Sequence, residues 1–360
     1  MEERRVTHDL AGAVDCDLHP DLPPVAALLP HLDGHWADAM VERGIESLET
    51  ASYPPNVPLT ARPDRRPLLG TGVEGLRGAT LDAWGLSAGI LNPLFGAHLV
   101  FNADMAVALC RALNDWVASN WLDRDARLRA SIVIPLQSVP DAVAEIERLA
   151  ADPRFVQVLV PAMGEVPYGR RSLWPVWEAC ARHGLPLGIH AGSAYRHPPT
   201  SLGWPSYFAE DYAAQSLGFQ AQLGSLITEG VFQHLPELKV VLIESGVTWL
   251  PSYLWRLAKF WRGVRSEVPW LRESPAEVAR RHVRLTIAPF DAPEDAAVVA
   301  RLMDQLGGEE MLLFASDWPH WQWDGAAPPL PAGIPADVAR RLMQDNPRAT
   351  YPRLSQMVPA

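Results

Sequence analysis

Near the start of the chain, the stretch AVDCDLHPD (13–21) sets Asp15, Asp17 and His19 at alternate positions, with Cys16 and Leu18 between them. On a regular strand, alternate side chains share one face. Carboxylate oxygens and an imidazole nitrogen on one face are donors for a divalent ion, and Asp17 with His19 makes a two-ligand pincer. Three later apolar runs also break into ionisable residues: LPLGIHAG (185–192) at His190, LKVVLIESG (238–246) at Glu244, and MLLFASDWPH (311–320) at Asp317 and His320. Burying such groups without partners is costly, so they need one another or a metal. Asp17, His19, His190 and Asp317 together form a sound donor set for one divalent ion with a position left for water. Zn²⁺ is the first choice, with Mn²⁺ or Fe²⁺ as alternatives, because ligand type alone does not decide.

The neighbouring residues suggest the rest of a site. Asp317 could serve as ligand, base or both. Glu244 reads either as a general acid/base, its pKa raised beside an apolar wall such as Trp249, or as half of an ion pair with an arginine. His320, three residues past Asp317, could orient that carboxylate or contact substrate. His197 lies in SAYRHPPTSLGWPSYF (193–208), a candidate lid or an ordinary surface loop. Trp318, Trp321 and Trp323 could wall a bulky or aromatic substrate, or simply pack together. Arg62, Arg65 and Arg66 sit in a Pro-rich stretch (52–72), and Arg62 is the candidate to hold a substrate carboxylate.

These residues must be positioned by something regular. Short apolar runs recur at 13–19, 83–91, 129–136, 155–162, 185–192, 238–246, 283–290 and 311–320. Each reads as a buried strand. Helical patterns lie between many of them, at 139–152 with Asp141 as cap, 172–184 ending at Gly184, 225–237 and 292–308. Strands alternating with helices predict a parallel sheet, and eight such units can close as a (β/α)8 TIM barrel. An open doubly wound sheet is the alternative, but the turn after its first strand would be glycine-rich, and here it is DLHPDLPP. In a barrel, chemistry collects at the C-terminal ends of the strands. The predicted ends carry Asp17, His19, Asn92, His190, Glu244, Asp317 and His320. The whole chain, 1–360, reads as a single domain with long loops at that face.

Composition removes several classes of function. The net charge of −11 and a scattered set of arginines, with Lys239 and Lys259 the only lysines, argue against nucleic-acid and anionic-membrane partners. The three cysteines form no CxxC pair and suit a reducing compartment. No run is long and apolar enough to span a bilayer, and the N-terminus lacks a signal-peptide pattern, so a cytoplasmic location is expected.

The motifs VDCDLHP, GIHAG, PELKVVLIESG and FASDWPH, in that order, resemble the amidohydrolase superfamily. The similarity runs from about Asp15 to Tyr351 and is nearest to the branch containing aminocarboxymuconate-semialdehyde, γ-resorcylate and 5-carboxyvanillate decarboxylases. It implies the barrel fold and a metal held by Asp17, His19, His190 and Asp317. It also sets Glu244 at the family's usual sixth-strand histidine and implies a homodimer. Asp17 stands where many relatives carry a first histidine.

Two reactions follow. The first is metal-dependent hydrolysis of a small amide, lactone or related bond through activated water, with Asp317 taking the proton and Glu244 or His320 protonating the leaving group. The alternative is non-oxidative decarboxylation of an aromatic or unsaturated carboxylic acid. Glutamate in place of histidine at the sixth strand places hydrolysis first. A barrel that only binds a small molecule is the third reading.

Overall fold

The structure is a computed structural model. It describes residues 9–48, 71–320 and 330–356. Eight parallel strands run in sequence order: β1 (Val14–Leu18), β2 (Ala88–Leu91), β3 (Leu128–Val133), β4 (Phe155–Met163), β5 (Leu187–Ser193), β6 (Val240–Ile243), β7 (Val283–Thr286) and β8 (Leu312–Leu313). The ring closes through backbone hydrogen bonds between the first and last segments. Cys16 N donates to Phe314 O (3.0 Å), Asp317 N to Asp17 O (3.1 Å) and His19 N to Trp318 O (2.8 Å). The fold is the expected (β/α)8 barrel.

Helices cover the outside. The main ones are α1 (Ala103–Val117), α2 (Val139–Leu149), α3 (Trp174–Arg182), α4 (Phe208–Thr228), α5 (Trp249–Val264), α6 (Pro275–His282) and α7 (Ala296–Leu306). An outer core, including Leu18, Ile132, Val158, Ile189 and Leu242, packs between strands and helices. An inner cluster fills the ring with Val14, Cys16, Ile90, Leu159, Val241 and Ile243, plugged by Tyr351 and Leu354 from the C-terminal segment. Among the described residues, no helix is long and apolar enough to cross a membrane.

Three expectations need correction. Helix α2 begins after Ser138 as N-cap; Asp141 lies inside the helix and hydrogen-bonds the Ser138 hydroxyl. The helix expected at 225–237 is the end of the much longer α4 and a separate short helix, Val231–His234. Gly218 and Gly224 weaken the helical signal ahead of 225, since glycine disfavours a helix interior. Both serve close approach: a Cβ on Gly224 would meet Tyr253 Oη at 2.2 Å, and one on Gly218 would meet Met163 Cγ at 2.8 Å.

The third correction concerns β1. Its pairing with β2 shifts register between Asp15, opposite Gly89, and Leu18, opposite Leu91. This is a β-bulge, which re-aims the side chains beyond it. Val14 and Cys16 therefore face the inner cluster, Leu18 joins the outer core, and Asp17 and His19 turn to the barrel mouth. Asp15 does not share their face. Its Oδ1 accepts from Asp17 N (3.1 Å) and Ser316 N (3.0 Å), bracing the bulge against the segment after β8. Burial outweighs these bonds and pushes its pKa up to about 7.

Candidate metal centre

Asp17, His19, His190, Asp317 and His320 meet at the C-terminal end of the ring, as the sequence pattern implied. His19 Nε2 lies 3.2 Å from Asp17 Oδ1 and 3.2 Å from Asp317 Oδ1. His190 Nε2 lies 3.4 Å from Asp17 Oδ1. His320 Nδ1 is 2.7 Å from Asp317 Oδ1, and its ring stacks on His19 at 3.6 Å between centroids. All five residues are buried. Their donor atoms form two overlapping triads, Asp17–His19–His190 and His19–Asp317–His320, with ligand atoms within 4.8 Å of one another in each.

The other ring nitrogens fix how two of the histidines face the site. His19 Nδ1 pairs with the Asn92 carbonyl at 2.9 Å, and His190 Nδ1 with the Ala191 carbonyl at 2.8 Å. A carbonyl can only accept, so each Nδ1 carries the hydrogen and each Nε2 is left as a lone-pair donor.

The residues fit a divalent ion. His19 Nε2, His190 Nε2, Asp17 Oδ2 and both Asp317 oxygens are buried without a hydrogen-bond partner among the described residues. Their short separations lack hydrogen-bond alignment, as expected where lone pairs converge on a shared point. Unsatisfied buried groups of this kind are expensive. Burial alone would make His19 hard to protonate, yet the Asp17 and Asp317 carboxylates push its pKa well above normal. Burial likewise opposes ionisation of Asp17, but the His19 and His190 rings hold it well below the usual carboxylate range. The cluster calls for positive charge, which a proton meets poorly and a metal ion meets well.

Glu244 stands beside this group, 3.6 Å from His190 Nδ1 through Oε2. It has φ 59°, and Asp317 has φ 57°. A non-glycine residue in this left-handed region costs about 1–3 kcal/mol, a strain that concentrates at functional sites. Thr286 Oγ1 holds Glu244 in place by accepting its backbone N–H at 3.0 Å. Tyr212, on α4, donates its hydroxyl to Glu244 Oε1 at 2.9 Å. Among the described residues no arginine pairs with Glu244; its side-chain partners are Tyr212 and His190. Burial, then the charges of Asp317 and Asp17, raise its pKa well above normal. Burial also lowers His320, while the neighbouring His320 and His19 overcome burial at Asp317 and keep it ionised.

The remaining sequence candidates stand elsewhere. His197 is exposed, and its Nε2 lies 3.2 Å from the Glu165 carbonyl after β4. Trp318 is 2% exposed and packs into the outer core. Arg62, Arg65, Arg66, Trp321 and Trp323 lie outside the described residues. Sequence reasoning missed Tyr212, because an α4 tyrosine carries no signal of pairing with a strand end 32 residues away. It noted Asn92 at a strand end without assigning its work: Asn92 Nδ2 donates to Asp17 Oδ1 at 2.8 Å.

A closed ring of eight strands carries at its mouth a buried histidine–carboxylate cluster with the donor set to hold a divalent ion, the class of barrel to which its relatives belong. The chain belongs to the Amidohydrolase family, whose pattern matches residues 14–353. It is similar to the γ-resorcylate decarboxylase of Rhodococcus jostii (strain RHA1), 26% identical over 237 residues, covering 60% of this chain and 68% of the relative. Among solved structures, it resembles an amidohydrolase from Mycobacterium avium subsp. paratuberculosis K-10 (TM-score 0.71, 22% identity, 94% of this chain and 99% of that chain). It also resembles a dihydroxybenzoic acid decarboxylase from Polaromonas sp. JS666 with bound manganese and 2-nitroresorcinol (TM-score 0.69, 19% identity, 97% of this chain and 98% of that chain).

Proposed function

We propose that the protein is a metal-dependent, non-oxidative decarboxylase of an aromatic acid bearing an oxygen substituent beside its carboxyl group. The observation that carries this reading is the convergence of unsatisfied donors from Asp17, His19, His190 and Asp317 next to a carboxyl group, Glu244, that favours keeping its proton. The decarboxylase relatives support this reaction over the hydrolysis that the sequence pattern placed first. The same four residues would hold the ion. Mn²⁺ replaces Zn²⁺ as the preferred metal, because carboxylate-rich sites suit it and the Polaromonas structure contains it. When bound, the ion supplies a fixed positive charge that a substrate carboxylate and its neighbouring oxygen can share.

The chain's own groups then handle the proton. Breaking the ring–carboxylate bond releases carbon dioxide and leaves the electron pair on the ring carbon. A proton must form the new C–H bond there. Glu244 is the donor: Oε1 accepts from Tyr212, so its proton resides on Oε2. Asp17 and Asp317, two of the charges that raise Glu244, are the carboxylates an ion would neutralise. Burial, the largest cause, remains. Solvent restores the proton after turnover. His320, with Nδ1 2.7 Å from Asp317 Oδ1, is assigned to the Asp317 side of the site, as a partner of that carboxylate. His197 and Arg62 stay assigned to the substrate side, Trp318 is withdrawn from it because it packs into the outer core, and the chain is assigned to a single-domain homodimer.

The test is direct. Mn²⁺-loaded protein incubated with 2,6-dihydroxybenzoate and other ortho-oxygenated benzoates is expected to release carbon dioxide in step with loss of the acid. Turnover of amides or lactones with no carbon dioxide from any such benzoate would reject decarboxylation in favour of hydrolysis.

A further inference from the structure

A row of neutral polar side chains crosses the inside of the barrel and ends on a ligand carboxylate. It starts at Tyr351, whose hydroxyl donates to Gln157 Oε1 at 3.2 Å. Gln157 Nε2, on β4, donates to Ser131 Oγ at 2.8 Å and to Asn92 Oδ1 at 2.9 Å. Ser131 Oγ, on β3, donates to the same Asn92 oxygen at 2.5 Å. Asn92, just past β2, donates through Nδ2 to Asp17 Oδ1 at 2.8 Å and to the Cys16 carbonyl at 3.3 Å. Asp17, Asn92, Ser131, Gln157 and Tyr351 are all 0% exposed.

The direction of these bonds matters. Each side-chain donor points along the row toward Asp17. Asn92 Oδ1 takes two hydrogens, so the amide cannot flip, and only its NH₂ can face the carboxylate. Both Gln157 amide hydrogens and the Ser131 hydroxyl are used. Aligned bonds in a low-dielectric interior polarise one another, and a half-satisfied network there is costly. The row lies among the apolar side chains of the inner cluster, where hydrocarbon would have been the simpler filling.

We propose that this column is a positioning device for the metal centre: Tyr351, Gln157, Ser131 and Asn92 hold the Asp17 carboxylate in the orientation that grips the ion. The inference rests on the metal reading above. It names residues that touch neither ion nor substrate yet set the affinity of the site. It also ties the C-terminal segment, through Tyr351, to a ligand at the other end of the barrel.

The experiment measures Mn²⁺ binding by calorimetry on chelator-dialysed wild type, Asn92→Ala, Ser131→Ala and Tyr351→Phe, with metal-free melting recorded for each. Asn92→Ala is expected to weaken Mn²⁺ binding by about 10-fold or more, the usual loss when a ligand's supporting partner is removed. Ser131→Ala and Tyr351→Phe are expected to weaken it in decreasing order along the row. A column that serves only the core would lower the melting temperature and leave affinity within about twofold of wild type, which overturns the proposal. If Asn92→Ala does not fold, Ser131→Ala decides alone by the same criterion. Wild type that takes up no Mn²⁺ overturns the metal reading, and the column with it; wild type that binds while the variants bind equally well overturns only the column.

Discussion

Chelator-treated protein is expected to retain less than about 1% of its turnover and to recover on addition of Mn²⁺, while Asp317→Asn is expected to lose about 10³-fold in kcat and not recover. The two losses have different origins. Stripping the ion leaves Asp17, His19, His190 and Asp317 facing one another without the charge they surround. Asp317→Asn keeps the shape and an oxygen for the His320 approach at 2.7 Å, but it removes a full negative charge. About 10³-fold corresponds to roughly 4 kcal/mol of transition-state stabilisation, within reach of one misplaced metal carboxylate. Metal content, measured alongside turnover, separates weak binding from a bound but badly held ion. Full activity in the chelated protein would contradict a metal-dependent reaction.

The second large effect is expected at Glu244. Glu244→Gln preserves size and an acceptor for the Tyr212 hydroxyl, but it carries no transferable proton. Mn²⁺ affinity should stay near wild type while kcat falls by about 10²–10⁴-fold, the usual contribution of a positioned acid. The wild-type pH profile gives a second check. A carboxyl raised by burial is protonated at neutral pH, so activity should decline on the alkaline side as Glu244 ionises; the variant should lose that limb. A Glu244→Gln enzyme with near-normal kcat would move the proton donor elsewhere, most naturally to the Asp317–His320 pair.

How much of this could be read in the chain depends on what kind of pattern carried it. The eight strands were legible because apolar runs such as FVQVLVPA and LKVVLIESG stand between turn residues, and each belongs to a buried strand. The four candidate ligands were legible because an ionisable group closing such a run is unusual. Asp15 was misread because strict alternation was assumed for β1, and the bulge that breaks it arises from pairing with β2, about 70 residues away. The helical signal in the middle of α4 was weakened by Gly218 and Gly224, whose purpose appears only when Met163 and Tyr253 pack against them. The column of Asn92, Ser131, Gln157 and Tyr351 was invisible for a related reason. Ser131 and Gln157 on strands resemble ordinary solvent-facing positions until the barrel closes around them, and Asn92 and Tyr351, outside the strands, show no link to them in the sequence.

The most direct measurement is anomalous X-ray scattering from crystals grown with Mn²⁺. It is expected to show one peak at the barrel mouth, within about 2.0–2.3 Å of a donor atom from each of Asp17, His19, His190 and Asp317. A peak held by other residues, or no peak at this cluster with Mn²⁺ at saturating concentration, would contradict the metal centre and the chemistry built on it.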